Sequence, residues 1–159
     1  MLGLYRLMDK LTRAFPGVRF EGCSGGGGRF DMGVLYYMPQ IWCSDDTDAM
    51  ERILIQYGTS MIYPPFVMGA HVSECPNQQT GRTVSIDTRA ALAYFGTFGY
   101  ELDLNLLSEE EQEAVRKQVR YYKDHGLVCA HGDHYRLTDP EKEREYTAFM
   151  SVSADKKAA

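Results

Sequence analysis

The chain has 159 residues, enough for one domain with a real core. A formal net charge of −5 and an ordinary apolar share argue against a nucleic-acid surface, and no apolar run is long enough to cross a membrane. Four cysteines, at 23, 43, 75 and 129, have neither CxxC spacing nor the density of a disulfide scaffold; with no signal peptide opening at Met1, the expected compartment is a reducing cytoplasm.

Leu4, Leu7, Met8 and Leu11 recur at helical spacing and Pro16 with Gly17 supplies the stop, so the chain opens on a helix. A short strand over residues 19–23 then enters Gly25, Gly26, Gly27 and Gly28. Helix and strand interiors disfavour glycine, so this quartet predicts a loop where backbone must approach something closely. Pro39 confines the next strand to residues 40–44. Asp48, with Glu51 three residues on, predicts a capped helix to Gly58 whose buried face is Met50, Ile53, Leu54 and Tyr57. Pro64 and Pro65 break the next apolar run, leaving residues 66–72 as a third strand before a polar loop over 74–81. Asp87 or Thr88 caps a short helix closed by Gly96, and residues 100–104 form a fourth strand. Ser108 with Glu111 is a capping box for a helix that runs to about His125 and stops at Gly126. Residues 128–137 and 146–152 predict two strands of a different character, separated by a charged turn over 139–145.

A helix, four strand–helix units and a β tail imply an α/β fold with parallel strands and right-handed crossovers. Chemistry in such folds gathers at the carboxyl ends of the strands, and Cys23, Asp45 and His71 each fall there. The glycine quartet lacks the Lys and Ser/Thr of a phosphate loop, since Arg29, Phe30 and Asp31 follow it. Asp45, Asp46 and Asp48 offer a general acid, because neighbouring carboxylates raise one another's pKa; helix capping and solvation are their plain alternative. His71 reads as structural or loop-fixing, and His125, His131 and His134 as surface residues. Cys23 has no evident partner histidine for a nucleophile's role, and the scattered Cys and His do not suggest zinc. Trp42 and the pair Tyr36 and Tyr37 suit either stacking on a sugar or core packing.

CSGGGGRFD, then LYYMPQIW and SDDTDA, then QYGTSMIYP and MGAHVS with PN, QT and R spaced after it, resemble the microbial α-galactosidases of glycoside hydrolase family 36. The resemblance covers nearly the whole chain in the family's order, and CSGGGGRFD and SDDTD at this separation are highly specific. It implies a retaining hydrolase of terminal α-galactosides such as melibiose and raffinose, built on a (β/α)8 barrel. Cys23, Ser24 and Gly25 then match the turn that contacts galactose, Asp45 matches the general acid/base, and Asp48 keeps its role as helix cap. No cofactor and no metal is implied.

Two departures qualify the match. The family's nucleophile is an Asp in a Lys-Trp-Asp-x-Asn strand, and no stretch of this chain resembles it; nor is the family's N-terminal β-domain represented. Gln78 stands where the family usually has His in Pro-Asn-His-Gln. The expected fold is therefore half of a TIM barrel, four βα units matching strands five to eight, in residues 1–126, with a short β-rich C-terminal extension in 127–159. An open sheet with an uncovered apolar face is expected to close by self-association into a homodimer or higher homo-oligomer. A retaining glycosidase needs a second carboxyl, so the expectation is at most weak galactoside binding and no turnover by these residues alone. The alternative is a non-catalytic, self-associating half-barrel with no carbohydrate ligand.

Overall fold

The computed structural model describes residues 2–143 and 145–159; Met1, and Arg144 of the expected charged turn, lie outside the described residues. Helix α1 (Leu2–Ala14) forms from the opening apolar repeat and ends before Pro16. Strand β1 (Glu21–Gly22) leads into α2 (Ser24–Gly27), a single turn, and α3 (Met32–Leu35) follows. Then come β2 (Gln40–Ile41), α4 (Ala49–Ser60), β3 (Gly69–Ser73), α5 (Ile86–Ala93), β4 (Thr97–Glu101), α6 (Glu109–His131), β5 (Asp133–Arg136) and β6 (Phe149–Val152).

Strand β1 pairs in parallel with β2, and β3 in parallel with β4; β5 and β6 form a separate antiparallel pair. A lone parallel bridge between Ile41 and Met68 joins the first two pairs, so four parallel strands follow one another in chain order. Among the described residues there is no closed barrel. The densest packing lies where α5 and α6 cover β3 and β4. Ala70, Val72, Ile86, Ala90 and Ala93 are buried there, with Phe98, Tyr100, Leu107 and Val115 packed around them. Small residues on both surfaces let α5 lie close to the sheet. The first half is thinner: Met8, Val34 and Ile41 are buried, while Leu7, Leu11 and Phe15 stay exposed, the two leucines lining an open cavity of about 390 Å³.

Several boundaries differ from those expected, each for a local reason. Asp31 caps α3, a turn that was not expected, by accepting from Val34 N at 2.9 Å; the Tyr5 hydroxyl holds the same carboxyl at 2.8 Å. Pro65 opens a 3-10 turn, Pro65–Val67, so β3 starts at Gly69 rather than at residue 66. Ser85, not Asp87 or Thr88, caps α5, its hydroxyl accepting from Thr88 N at 3.1 Å. Strand β4 begins at Thr97, because its register places Thr97 against Gly69. The capping box of Ser108 and Glu111 forms as expected, but α6 runs through Gly126 to His131. At Gly126 a side chain would meet the Tyr122 ring at 3.0 Å, and that ring is fixed by its hydroxyl donating to Gly96 O at 3.0 Å. The glycine there makes room for a packed ring, and the helix stops instead at Gly132, whose N–H bonds Val128 O.

The buried stripe of α4 is also not the expected one. Met50 and Leu54 are exposed, whereas Arg52 and Gln56 are buried. These long polar side chains satisfy main-chain carbonyls: Arg52 donates to Ser44 O at 3.1 Å and Gly69 O at 2.6 Å, and Gln56 to Leu92 O at 3.2 Å. Apolar periodicity cannot see a face that is buried in order to pair main-chain groups.

Candidate functional site

The first three glycines of the quartet, with Ser24, form one left-handed turn, and Gly28 leaves it at a φ of −60°. Ser24, Gly25, Gly26 and Gly27 all have positive φ, at 59°, 67°, 69° and 84°. Gly27 N–H closes the turn on Cys23 O at 2.7 Å. The expected loop is therefore an ordered one. Conformation is only half of the reason for glycine. A Cβ on Gly26 would lie 2.7 Å from Asp45 N, and one on Gly27 would lie 3.1 Å from Cys43 O. The turn after β1 thus rests directly on the backbone leaving β2, and only hydrogen atoms fit between them. Gly25, in contrast, faces open space.

That contact brings two of the predicted residues together. Cys23 Sγ lies 3.8 Å from Asp45 Oδ1, and both residues are exposed on the same rim. Ser24 and Gly25 follow on the turn's open side. His71 lies in the middle of β3, not at its carboxyl end as expected, because the strand starts at Gly69 and runs on to Ser73; it is half-buried, with its ring 4.8 Å from that of Trp42 and its Nδ1 3.8 Å from Glu101 Oε2. The Arg52 guanidinium sits 5.0 Å from the Trp42 ring centre. Trp42 thereby packs against both an imidazole and a cation. Tyr37 packs on Tyr5 at 6.0 Å, and Tyr36 remains exposed. A shallow cleft over the sheet is lined by Glu21, Cys23, Trp42, His71, Tyr100 and Glu101. Burial pushes the Tyr100 phenol up to about 12, so it stays neutral and donates to Gln118 Oε1 at 2.9 Å.

The segment carrying Asp45 is pinned at almost every polar group. Arg52 holds Ser44 O, and the Ser44 hydroxyl accepts from Asp46 N at 3.1 Å. The Asp46 carboxylate accepts from Asp48 N at 2.9 Å, and Ser73 donates to Thr47 O at 2.7 Å. Gln79 donates to Asp45 O at 2.7 Å and accepts from Thr47 N at 2.9 Å. Asp48 is buried and caps α4 by accepting from Met50 N at 2.8 Å. Thr80 also donates to it, and Arg82 reaches it at 2.8 Å while touching Glu51 at 3.2 Å. Burial opposes the charge on Asp48. The Thr80, Met50 and Arg82 donors outweigh that cost and hold its carboxyl below the usual carboxylate range. Asp48 is therefore an ionised anchor, as its reading as a helix cap requires.

Among the described residues no three or more His, Cys, Asp or Glu side chains gather as metal ligands. His134 is half-buried beside Phe95 and Phe149 rather than on the surface, and burial lowers its pKa. Sequence reasoning missed Arg52, Asn77, Gln79 and Arg82. The last three lie in the polar loop after β3, where the spaced PN, QT and R formed part of a recognised pattern but carried no role.

The Melibiase family model matches residues 1–132. Alpha-galactosidase AgaA of Geobacillus stearothermophilus is 55% identical over the whole chain, which covers 22% of that protein. The bifunctional alpha-galactosidase/sucrose kinase AgaSK of Mediterraneibacter gnavus is 54% identical over 98% of the chain, covering 16% of its length. The chain thus spans about a fifth of the length of the relatives it matches. Crystal structures agree. The glycoside hydrolase family 36 enzyme AgaA in complex with raffinose superposes with a TM-score of 0.94 at 55% identity, over 98% of this chain and 21% of that one. A further AgaA variant in complex with stachyose gives the same TM-score, identity and coverage.

Proposed function

This chain belongs to the Melibiase family, and on that premise we propose that it carries the acid/base side of a retaining α-galactosidase site. Asp45 is the general acid/base, and Cys23, Ser24 and Gly25 form the turn that contacts a terminal α-galactoside. The observation that carries this reading is the 3.8 Å approach of Cys23 Sγ to Asp45 Oδ1, which puts the turn and the carboxyl on one rim at the strand ends. In a retaining reaction one carboxyl protonates the glycosidic oxygen and later activates water, while a second about 5–5.5 Å away attacks the sugar. Asp45 suits the first of these roles, because it projects from a braced loop into solvent where a sugar can enter. No stretch of these residues matches the Lys-Trp-Asp-x-Asn strand of the nucleophile. We therefore propose sugar binding without turnover for these 159 residues alone.

The four parallel strands in chain order support a half-barrel in residues 1–126, with 127–159 as a β-rich extension. Its edges β1 and β4 are open, and Leu7 and Leu11 are exposed beside β1. We propose that two copies close one ring about a two-fold axis, each β1 meeting the other copy's β4. The four free cysteines suit a reducing cytoplasm. The exposed apolar residues also favour a second reading, a self-associating half-barrel that takes no sugar.

Galactose titrated into the protein during thermal unfolding separates the two readings, since a ligand that binds only the folded state raises its stability. The proposed function expects a dose-dependent rise in Tm, and the loss of any aryl α-galactoside hydrolysis in Asp45→Ala. No shift at high galactose, or hydrolysis that survives Asp45→Ala, refutes it. Light scattering over a dilution series tests closure: a dimer stable on dilution supports the ring, and a monomer excludes it.

A further inference from the structure

The Asp45 carboxyl has a weakness as a catalytic group. Among the described residues its only side-chain neighbour within hydrogen-bonding reach is Cys23, at 3.8 Å. A side chain with so little lateral support can be aimed only through its own backbone. Arg52 grips that backbone before Asp45, through Ser44 O, and after Asp45 one side chain grips it. Gln79 Nε2 donates to Asp45 O at 2.7 Å while Gln79 Oε1 accepts from Thr47 N at 2.9 Å. The amide therefore spans the peptide units on both sides of Asp46 and uses its N–H donor and its carbonyl acceptor at once.

Gln79 is itself held. The buried Asn77 accepts from Gln79 N at 2.9 Å and Thr80 N at 3.1 Å, and its Nδ2 donates to Thr47 Oγ1 at 3.0 Å. Backbone bonds from Gly81 N to Asn77 O and from Asn77 N to Arg82 O close the loop around it. The loop after β3 is thus built to present one amide to the loop after β2.

We propose that Gln79 is the positioning residue of Asp45, setting the direction in which the carboxyl leaves the rim; this rests on the reading of Asp45 as the acid/base. Gln79 touches no reacting atom. Its effect is transmitted through the Asp45 carbonyl, and Asn77 is the post on which it stands.

Cys23 provides a test that needs no turnover. Its thiolate displaces iodide from neutral iodoacetamide and from anionic iodoacetate alike, so the ratio of the two rates cancels the thiolate fraction and reports nearby charge. The rates are read at Cys23 by peptide mass mapping, on the whole chain at low salt, with the melting temperature recorded alongside. Two unit charges about 5 Å apart in water interact strongly enough that Asp45→Asn should raise the iodoacetate-to-iodoacetamide ratio about fourfold.

Gln79→Met, of similar length but without the amide, should give at least half of that rise on a logarithmic scale, and none further when combined with Asp45→Asn. Gln79→Asn keeps the amide but is too short to reach both groups, so it should move the ratio the same way; it also serves if Gln79→Met does not fold. A ratio unchanged in folded Gln79 variants overturns the proposal. So does an Asp45→Asn protein with an unaltered ratio, because Asp45 would not then be aimed at Cys23. Neither result depends on whether this rim takes a galactoside, which the galactose-dependent rise in Tm judges separately.

Discussion

Gly25 and Gly26 have nearly the same dihedral requirement and very different surroundings, which makes them a controlled pair. Both have φ near the left-handed value, 67° and 69°, so alanine at either position carries a similar conformational penalty of about 1 kcal/mol. At Gly25 that is the whole cost, because nothing lies within 4 Å of the added Cβ. At Gly26 the Cβ would fall 2.7 Å from Asp45 N and 3.1 Å from Ser44 Cα. Both are backbone atoms, and the backbone there is fixed by Arg52 on Ser44 O and by Gln79 on Asp45 O. It cannot yield without breaking those bonds, so overpacking should add about 1–3 kcal/mol at Gly26 alone. For a chain of this size each kcal/mol corresponds to roughly 2–4 °C in Tm. Urea unfolding followed by the fluorescence of Trp42, the single tryptophan, next to this contact, measures the pair directly. Equal costs for Gly25→Ala and Gly26→Ala would refute the reasoning, and would mean that the quartet answers to dihedral angle and not to contact with the Asp45 loop.

Asp48→Asn should cost about 1–3 kcal/mol at neutral pH, through a weakened helix cap and the lost charge facing Thr80 and Arg82. Because the folded pKa of Asp48 is lowered, its contribution is complete above the ordinary carboxylate value of about 4 and disappears as pH falls through the folded value. The gap between the parent and Asp48→Asn should therefore close from pH 5 downward in urea melts; a gap constant to pH 2 contradicts the assignment. Arg52→Met should lose about 2–4 kcal/mol, since Ser44 O and Gly69 O would be left without their buried donor. Arg52→Lys should recover only part of it, as one ammonium cannot reproduce the fork. Full recovery in thermal melts would argue against the two-carbonyl grip.

Much of the site was legible because its residues announce themselves by type. Four glycines in a row exclude ordinary secondary structure, and Asp48 with Glu51 reads as a cap on local grounds alone. The capping box at Ser108 was equally local, and it formed. Gly126 misled for the same reason. Read locally it is a stop, whereas its cause is the Tyr122 ring, tied to Gly96 from another part of the chain. The apolar face assigned to α4 failed because Arg52 and Gln56 are buried to serve carbonyls distant in sequence. Gln79 lay in a quoted motif, but its role exists only once the loop after β3 is folded against the loop after β2.

The lone bridge between Ile41 and Met68 has a dynamic consequence. The sheet is two cooperative blocks sharing a narrow seam, and they are unequal. The block of β3 and β4 carries the packed cluster under α5 and α6, while the block of α1, β1 and β2 buries little. Sub-global opening should therefore begin in the first block, with its amides exchanging hydrogen at lower free energy than those of β3. The turn at Cys23 belongs to the looser block and the clamp at Gln79 to the firmer one. A small molecule gripping both rims would act as a removable staple, slowing exchange most in the strand pair that is held least firmly when it is absent.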